Sequence, residues 1–152
     1  MEPDWRLLRL EALAPRDVHD ILQARAAVFV VEQACVFQDV DGTDADAWHL
    51  FMRKDGALAA YARLLPAGVK FAEPSIGRVM TAQAFRGTGL GRSLMAEAIA
   101  RSRALWPGAP VRIGAQRRLE AFYASLGFVT DSAPYDEDGI PHVEMVLPAG
   151  AR

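Results

Sequence analysis

The sequence predicts an α/β (α+β) domain in which helices interrupt a mixed, mostly antiparallel sheet of about seven strands. Three observations predict it. Short apolar or alternating runs recur between turn residues, two longer runs carry apolar residues at helical spacing, and an Asp-Gly pair joins two of the short runs as a hairpin. At 152 residues the chain is most simply one domain spanning 1–152, long enough to bury about two-thirds of the surface its unfolded form exposes.

The segment WRLLRLEAL (5–13) reads as a strand closed by Ala14-Pro15. Pro15 suits a first helical turn, and Val18, Ile21, Leu22, Ala26 and Phe29 carry an apolar stripe to about Val31. EQACVFQDVDGTDADAW, with Asp39, Asp41, Asp44 and Asp46, reads as a loop with one helical turn. WHLFMRK (48–54) and ALAAYARLL (57–65) flank Asp55-Gly56 as antiparallel strands, and SIGRVMTAQ (75–83) is the next strand. Leu90, Leu94, Met95, Ala98, Ile99 and Leu105 form one face of a helix stopped by Pro107-Gly108. VRIGAQ (111–116) reads as a strand covered on both faces, and RRLEAFYASL as a helix closed by Gly127. FVTDS and HVEMVL are the last strands, joined by the turn-rich PYDEDGIP.

A net charge of −2 and a pI near 5.9 supply no general field for nucleic acid or an anionic membrane, so any anion site must be local. No run approaches the roughly 18 apolar residues of a membrane span. The single Cys35 cannot form an internal disulfide and reads as a small buried hydrophobe, and MEPDWRLLRLEAL lacks a signal-peptide pattern, so a cytoplasmic location is expected. His19, His49 and His142 have no metal-ligand spacing and the aspartates lack a calcium-loop pattern, so no metal site is expected.

The stretch AFRGTGLGRSLMAEAIA (84–100) holds Arg86, Gly87, Thr88, Gly89, Leu90, Gly91, Arg92 and Ser93, and turns directly into a helix. A helix start offers unpaired N–H groups, and glycines admit a phosphate close to them. A Walker A loop needs a lysine that is absent here. A dinucleotide fingerprint would need glycine where Arg92 stands and an acid near Trp106.

The remaining pattern, Arg86-x-x-Gly89-x-Gly91, resembles the pyrophosphate loop of the GNAT (GCN5-related N-acetyltransferase) superfamily. AFYASLGF (121–128) is similar to the later motif of that superfamily, a helix-borne tyrosine before a Gly-Phe turn. RAAVFVVEQACVFQDVDGTD (25–44) and YDEDGIPHVEM (135–145) resemble its ElaA-type subgroup. The resemblance implies the acyl-CoA N-acyltransferase fold with splayed central strands, acetyl-CoA as co-substrate and an amine acceptor: a small molecule, peptide or protein. It leaves the acceptor and the oligomeric state open, a homodimer included.

On the matching positions, Val79, Met80 and Thr81 face pantetheine through an open strand edge. Residues Arg86 to Ser93 hold the pyrophosphate, with Gln116 and Phe122 beside the coenzyme, and Tyr123 is the general acid to the departing thiolate. Tyr123 also lies on the apolar stripe of its helix, where an aromatic commonly serves packing alone. For the base, Glu32 ranks first, ahead of Glu73, His49 and His142. The four aspartates are expected to cap or flank the acceptor cleft and to favour a cationic amine, and Arg117 and Arg118 either reach the coenzyme or lie in solvent. Direct N-acetyl transfer is the leading expectation. The alternatives are a catalytically silent acyl-CoA sensor and a hydrolase or O-transferase.

Overall fold

In a computed structural model describing residues 4–150, the alternating runs join in one eight-stranded sheet. Residues 1–3 and 151–152, the ends of the domain read from the sequence, lie outside the described residues. Strands β1 (Trp5–Arg9), β2 (Trp48–Lys54), β3 (Ala57–Leu65) and β4 (Ser75–Thr81) form an antiparallel meander. Next to β4 runs β5 (Val111–Gln116), parallel to it, and then β8 (Ile140–Leu147), antiparallel to β5. The short β6 (Val129–Thr130) and β7 (Tyr135–Glu137) both pair with β8.

Strand alternation sends side chains to two cores. Phe51, Tyr61 and Met80 pack with Ile21 of α1 (Pro15–Arg25). Leu50, Ala60, Ala62 and Leu64 pack with Leu94, Met95 and Ala98 of α2 (Leu90–Leu105) and with Tyr123 of α3 (Glu120–Ala124). The β2–β3 hairpin turns on Asp55 (φ 53°) and Gly56 (φ 79°), the pair of left-handed residues that a two-residue turn of this twist requires.

Several boundaries differ from the sequence reading. β1 stops at Arg9 instead of Leu13: Leu10–Ala12 make a tight turn, which brings Leu8, Leu10 and Leu13 together against α1 and breaks the period of two. The first helix is α-helical only to Arg25 and continues as a wider π turn over Ala26–Glu32. The helix expected from Arg117 opens with a 3₁₀ turn and is α-helical only over Glu120–Ala124. FVTDS contributes only Val129–Thr130. The PYDEDGIP stretch is not simply a turn but a second hairpin, β7 to β8, reversing on Asp138 (φ 52°) and Gly139 (φ 81°). β5 is not covered on both faces: its residues alternate buried and half-buried, because one face borders a cleft.

That cleft starts in a bulge. Tyr61 pairs with Met80 and Arg63 with Gly77, so β4 carries one more residue than β3 between these pairs, and Arg78 takes a left-handed φ of 49° there. Beyond this point β4 and β5 diverge, and Ser75↔Arg112 is their one register pair among the described residues. From Gly77 to Thr81, the edge of β4 that faces β5 has no ladder partner among the described residues.

Candidate active site

The glycine loop delivers a bare helix end to the mouth of this splay. Gly87 (φ 79°) and Gly89 (φ 82°) reverse the chain in left-handed conformations, and Gly89 is the N-cap of α2 without any capping side chain. The first helical bond of α2 is Ser93 N to Gly89 O at 3.2 Å, which leaves the N–H groups of Leu90, Gly91 and Arg92 directed outward. A Cβ built on Gly87, Gly89 or Gly91 would meet nothing within 4 Å, so the space before the helix is open to a ligand. This cradle fits a diphosphate, and the unpaired edge of β4 fits the amides of a pantetheine arm.

The side chains around the cradle are already engaged. Arg86 donates from Nε to Thr81 O (3.1 Å) and from Nη1 to Glu32 Oε2 (3.0 Å). Arg92 donates to Ser125 Oγ (3.0 Å), with its guanidinium 5.4 Å from the centre of the Phe122 ring. Thr88 Oγ1 donates to Phe85 O at 2.7 Å, and Ser93 Oγ to Gly89 O at 3.4 Å. Leu90 packs partly into the core. Of the three β4 residues, Val79 lines the cleft and Met80 turns its side chain into the α1 core, while Thr81 offers a carbonyl that Arg86 occupies.

The cleft encloses about 540 Å³. Tyr123 stands in its wall, clamped edge-on between Phe122 (5.2 Å) and Phe128 (5.9 Å), and its hydroxyl has no hydrogen-bond partner among the described residues. Burial pushes its pKa up to about 12, against a slight downward pull from Arg118. Gln116, at the end of β5, accepts from Arg118 Nε (3.1 Å) and donates to Gln33 (3.3 Å), which fixes Arg118 against the end of the strand outside the cleft lining. Cys35 is buried and donates its S–H to Asp138 O at 3.2 Å.

The candidate bases separate clearly. Glu73 ion-pairs with Arg112 (3.0 Å) away from the cleft lining. His49 is buried behind the sheet: Nε2 donates to the Asp44 carbonyl (3.0 Å), so Nδ1 accepts from the Tyr61 hydroxyl (2.6 Å), and desolvation lowers its pKa. Glu32 is held by Arg86 and does not line the cleft. His142 does line it. Its Nδ1 donates to Ile140 O (2.7 Å), and Nε2 stands 3.3 Å from Glu137 Oε2.

Of the four aspartates, Asp41 lines the cleft, while Asp39 and Asp44 stand behind it in a charge network. Arg25, fully buried, bridges Asp39 (3.0 Å) and Asp44 (2.7 Å). Arg63 bridges Asp41 (2.8 Å) and Asp44 (3.0 Å), and the bulge residue Arg78 binds Asp39 at 2.7 Å. Burial works to raise the pKa of Asp41, but hydrogen bonds from Arg63 and Thr43 outweigh it and hold the group at about 2. Asp39, Asp41 and Asp44 are thus matched by three guanidinium groups, so these three present no net negative charge to the cleft. The arginines sit on separate elements, and no local signal in the sequence ties them to the acids.

A bulged strand splayed from its parallel neighbour, with a glycine-opened helix at the gap, sets an unpaired backbone edge beside a bare helix end, as an acyl-CoA-using acyltransferase needs. The chain belongs to the GNAT acetyltransferase family: the model of the "Acetyltransferase (GNAT) domain" matches residues 18–148. It is 41% identical over 144 residues to the protein ElaA of Escherichia coli, covering 93% of this chain and 94% of that one. To a UPF0039 protein of Synechocystis it is 43% identical over 148 residues, covering 97% and 96%. Among solved structures, an acyl-CoA N-acyltransferase from Pseudomonas aeruginosa superimposes with a TM-score of 0.90 at 41% identity, covering 95% of this chain and 99% of that one. Escherichia coli ElaA superimposes at 0.89 with 39% identity and the same coverage.

Proposed function

We propose that this protein transfers the acetyl group of acetyl-CoA to a primary amine by direct attack in a ternary complex. The observation that carries the reading is Tyr123: a phenol held rigidly in the cleft wall with no hydrogen-bond partner among the described residues, in the same cavity as the bulged β4 edge. Acyl-CoA binding by the glycine cradle and the β4 edge rests on the fit described above. A backbone N–H near Val79 would polarise the thioester carbonyl, a contribution worth roughly 3 kcal/mol for one donor in comparable sites.

An ammonium has no lone pair, so the acceptor must lose a proton before it attacks. His142 is the base that the cleft presents. Glu137 draws the ammonium in, Nε2 of His142 takes its proton, and the imidazolium then pairs with Glu137. The amine nitrogen bonds to the thioester carbon, the C–S bond breaks with its electron pair on sulfur, the nitrogen sheds its second proton to solvent water as the neutral amide forms, and the sulfur leaves as thiolate. Tyr123 keeps its proton throughout the neutral range. Because an ordinary thiol titrates near ~8.5, the phenol acts mainly by donating a hydrogen bond to the developing thiolate.

The test is thiol release from acetyl-CoA across a panel of amines, with Tyr123→Phe and His142→Gln in parallel. Acceptor-dependent release that falls in both variants supports the reading. Tight acetyl-CoA binding without release for any acceptor would favour a silent sensor, and release to water or alcohols alone a hydrolase or O-transferase.

A further inference from the structure

We propose that the acceptor is a small zwitterion, an amine carrying a carboxylate, and that Lys70 binds the carboxylate; the assignment of the amine end rests on the acyl-transfer reading above. Four basic side chains line the cleft. Arg63 and Arg78 are consumed by Asp39, Asp41 and Asp44, and His142 faces Glu137. Lys70 alone has no carboxylate partner among the described residues, and its ammonium lies 5.4 Å from the centre of the Phe71 ring. The one other uncommitted charge in the lining, Asp138, lies on the β7–β8 turn next to Glu137, at the end assigned to the amine.

The side chain of Lys70 is exposed, and the turn that carries it is fixed. Its turn, between β3 and β4, is closed by Gly68 N to Phe71 O (2.7 Å), with Gly68 left-handed at φ 86°. The exit is pinned by the Glu73–Arg112 pair and by Arg112 N to Pro74 O at 2.9 Å. Opposite stands Gly114 of β5, where a Cβ would lie 3.1 Å from Tyr135 Oη and 3.8 Å from Lys70 Nζ. The missing side chain lets Tyr135 and Lys70 close over the strand. Two residues further along β5 is Gln116, which pairs with His142. Gly114 and Gln116, the strand residues beside the two seats, are separated by about 7 Å along the strand, a spacing that suits an ω-amine several bonds from its carboxylate better than an α-amine.

The experiment measures thiol release with glycine, 4-aminobutyrate and 5-aminopentanoate, each against its own carboxamide. The expected result is kcat/KM at least tenfold higher for the longer free acids than for their amides. In Lys70→Met that ratio falls to near one through acceptor KM, with acetyl-CoA KM and thermal midpoint unchanged, and Lys70→Arg restores most of it. Equal rates for acid and amide, a preference that survives Lys70→Met, or a lysine peptide outpacing every amino acid would overturn the proposal. If no acceptor releases thiol, the transfer reading fails separately, and calorimetry of 5-aminopentanoate and its amide on the CoA-loaded protein decides the matter. A Lys70-dependent preference for the acid sustains the proposal, and its absence overturns it.

Discussion

Arg86 Nη1 lies 3.0 Å from Glu32 Oε2, so the arginine expected to grip the pyrophosphate and the acid ranked first as base form one ion pair. The pair joins the end of the π turn after α1 to the start of the glycine loop. Both partners are more than a third exposed, so the bridge contributes little to stability. Its consequence is for binding, since a diphosphate must compete with Glu32 for the guanidinium.

Glu32→Gln is therefore expected to tighten acetyl-CoA binding about two- to fivefold at low ionic strength, with kcat unchanged. The gain should fade as salt screens the exposed pair. Isothermal titration at two salt concentrations checks it. A fall of about 100-fold in kcat at saturating acceptor would instead make Glu32 the base.

Gly91→Asp should separate folding from binding. Gly91 sits in the first turn of α2 without a positive φ, and a Cβ there meets nothing within 4 Å. An aspartate gains about 0.3–1 kcal/mol from the helix dipole and some helix propensity over glycine. The thermal midpoint of the free protein should rise by roughly 2–4 °C, while acetyl-CoA affinity falls by 100-fold or more from charge and bulk against phosphate. Gly89→Ala should instead lose about 1 kcal/mol, because its φ of 82° is left-handed. Calorimetric scanning with and without acetyl-CoA measures both effects.

Local chemistry explains which features could be read from the sequence. Asp55-Gly56, the glycine loop, α2 and β5 are written in consecutive residues, through turn types, capping and periodicity. The same Asp-Gly signal at Asp138-Gly139 marks the second hairpin, but the surrounding Pro, Asp and Glu residues masked the three-residue β7. At the bulge the left-handed residue is Arg78 and not the neighbouring Gly77, and Arg78 is held there by pairing with Asp39 and Asp41. Lys70 and His142 likewise meet the cleft only because β5 and β8 pair in one register and the β3–β4 turn folds over Gly114. Contacts of that range leave no trace in spacing.

Tyr123→Phe removes a hydroxyl that no described residue binds, so the stability of the free protein should change by less than about 0.5 kcal/mol. The turnover number should fall about 100-fold, with acetyl-CoA affinity within a factor of two or three. A rate equal to wild type would remove the phenol from the chemistry and leave it as packing between Phe122 and Phe128. Single-turnover kinetics beside equilibrium titration distinguishes the two.

The charge network behind the bulge makes a prediction about acid stability. Burial lowers the folded pKa of His49 below its ordinary value of 6.5, so below that pH the unfolded chain binds a proton that the folded chain refuses. The contribution of His49 is complete above about pH 6.5 and declines as the pH falls. Asp41 and Asp44 have folded pKa values below 3.8, so their contribution is complete above that value and, for Asp41, is lost as the pH approaches about 2. Stability should thus decline gently below pH 6.5 and steeply below about 4, and His49→Gln should flatten the first phase alone. Arg25→Met would leave Asp39 and Asp44 short of their buried cation, at a cost of about 3–5 kcal/mol. The midpoint at neutral pH should drop by roughly 10 °C. Because this network anchors the loop carrying Asp39 and Asp41 to Arg78 at the cleft wall, acceptor KM should rise as well, while the glycine cradle lies outside the network and acetyl-CoA affinity should change less. Thermal unfolding from pH 3 to 8, with KM for both substrates at neutral pH, tests each part.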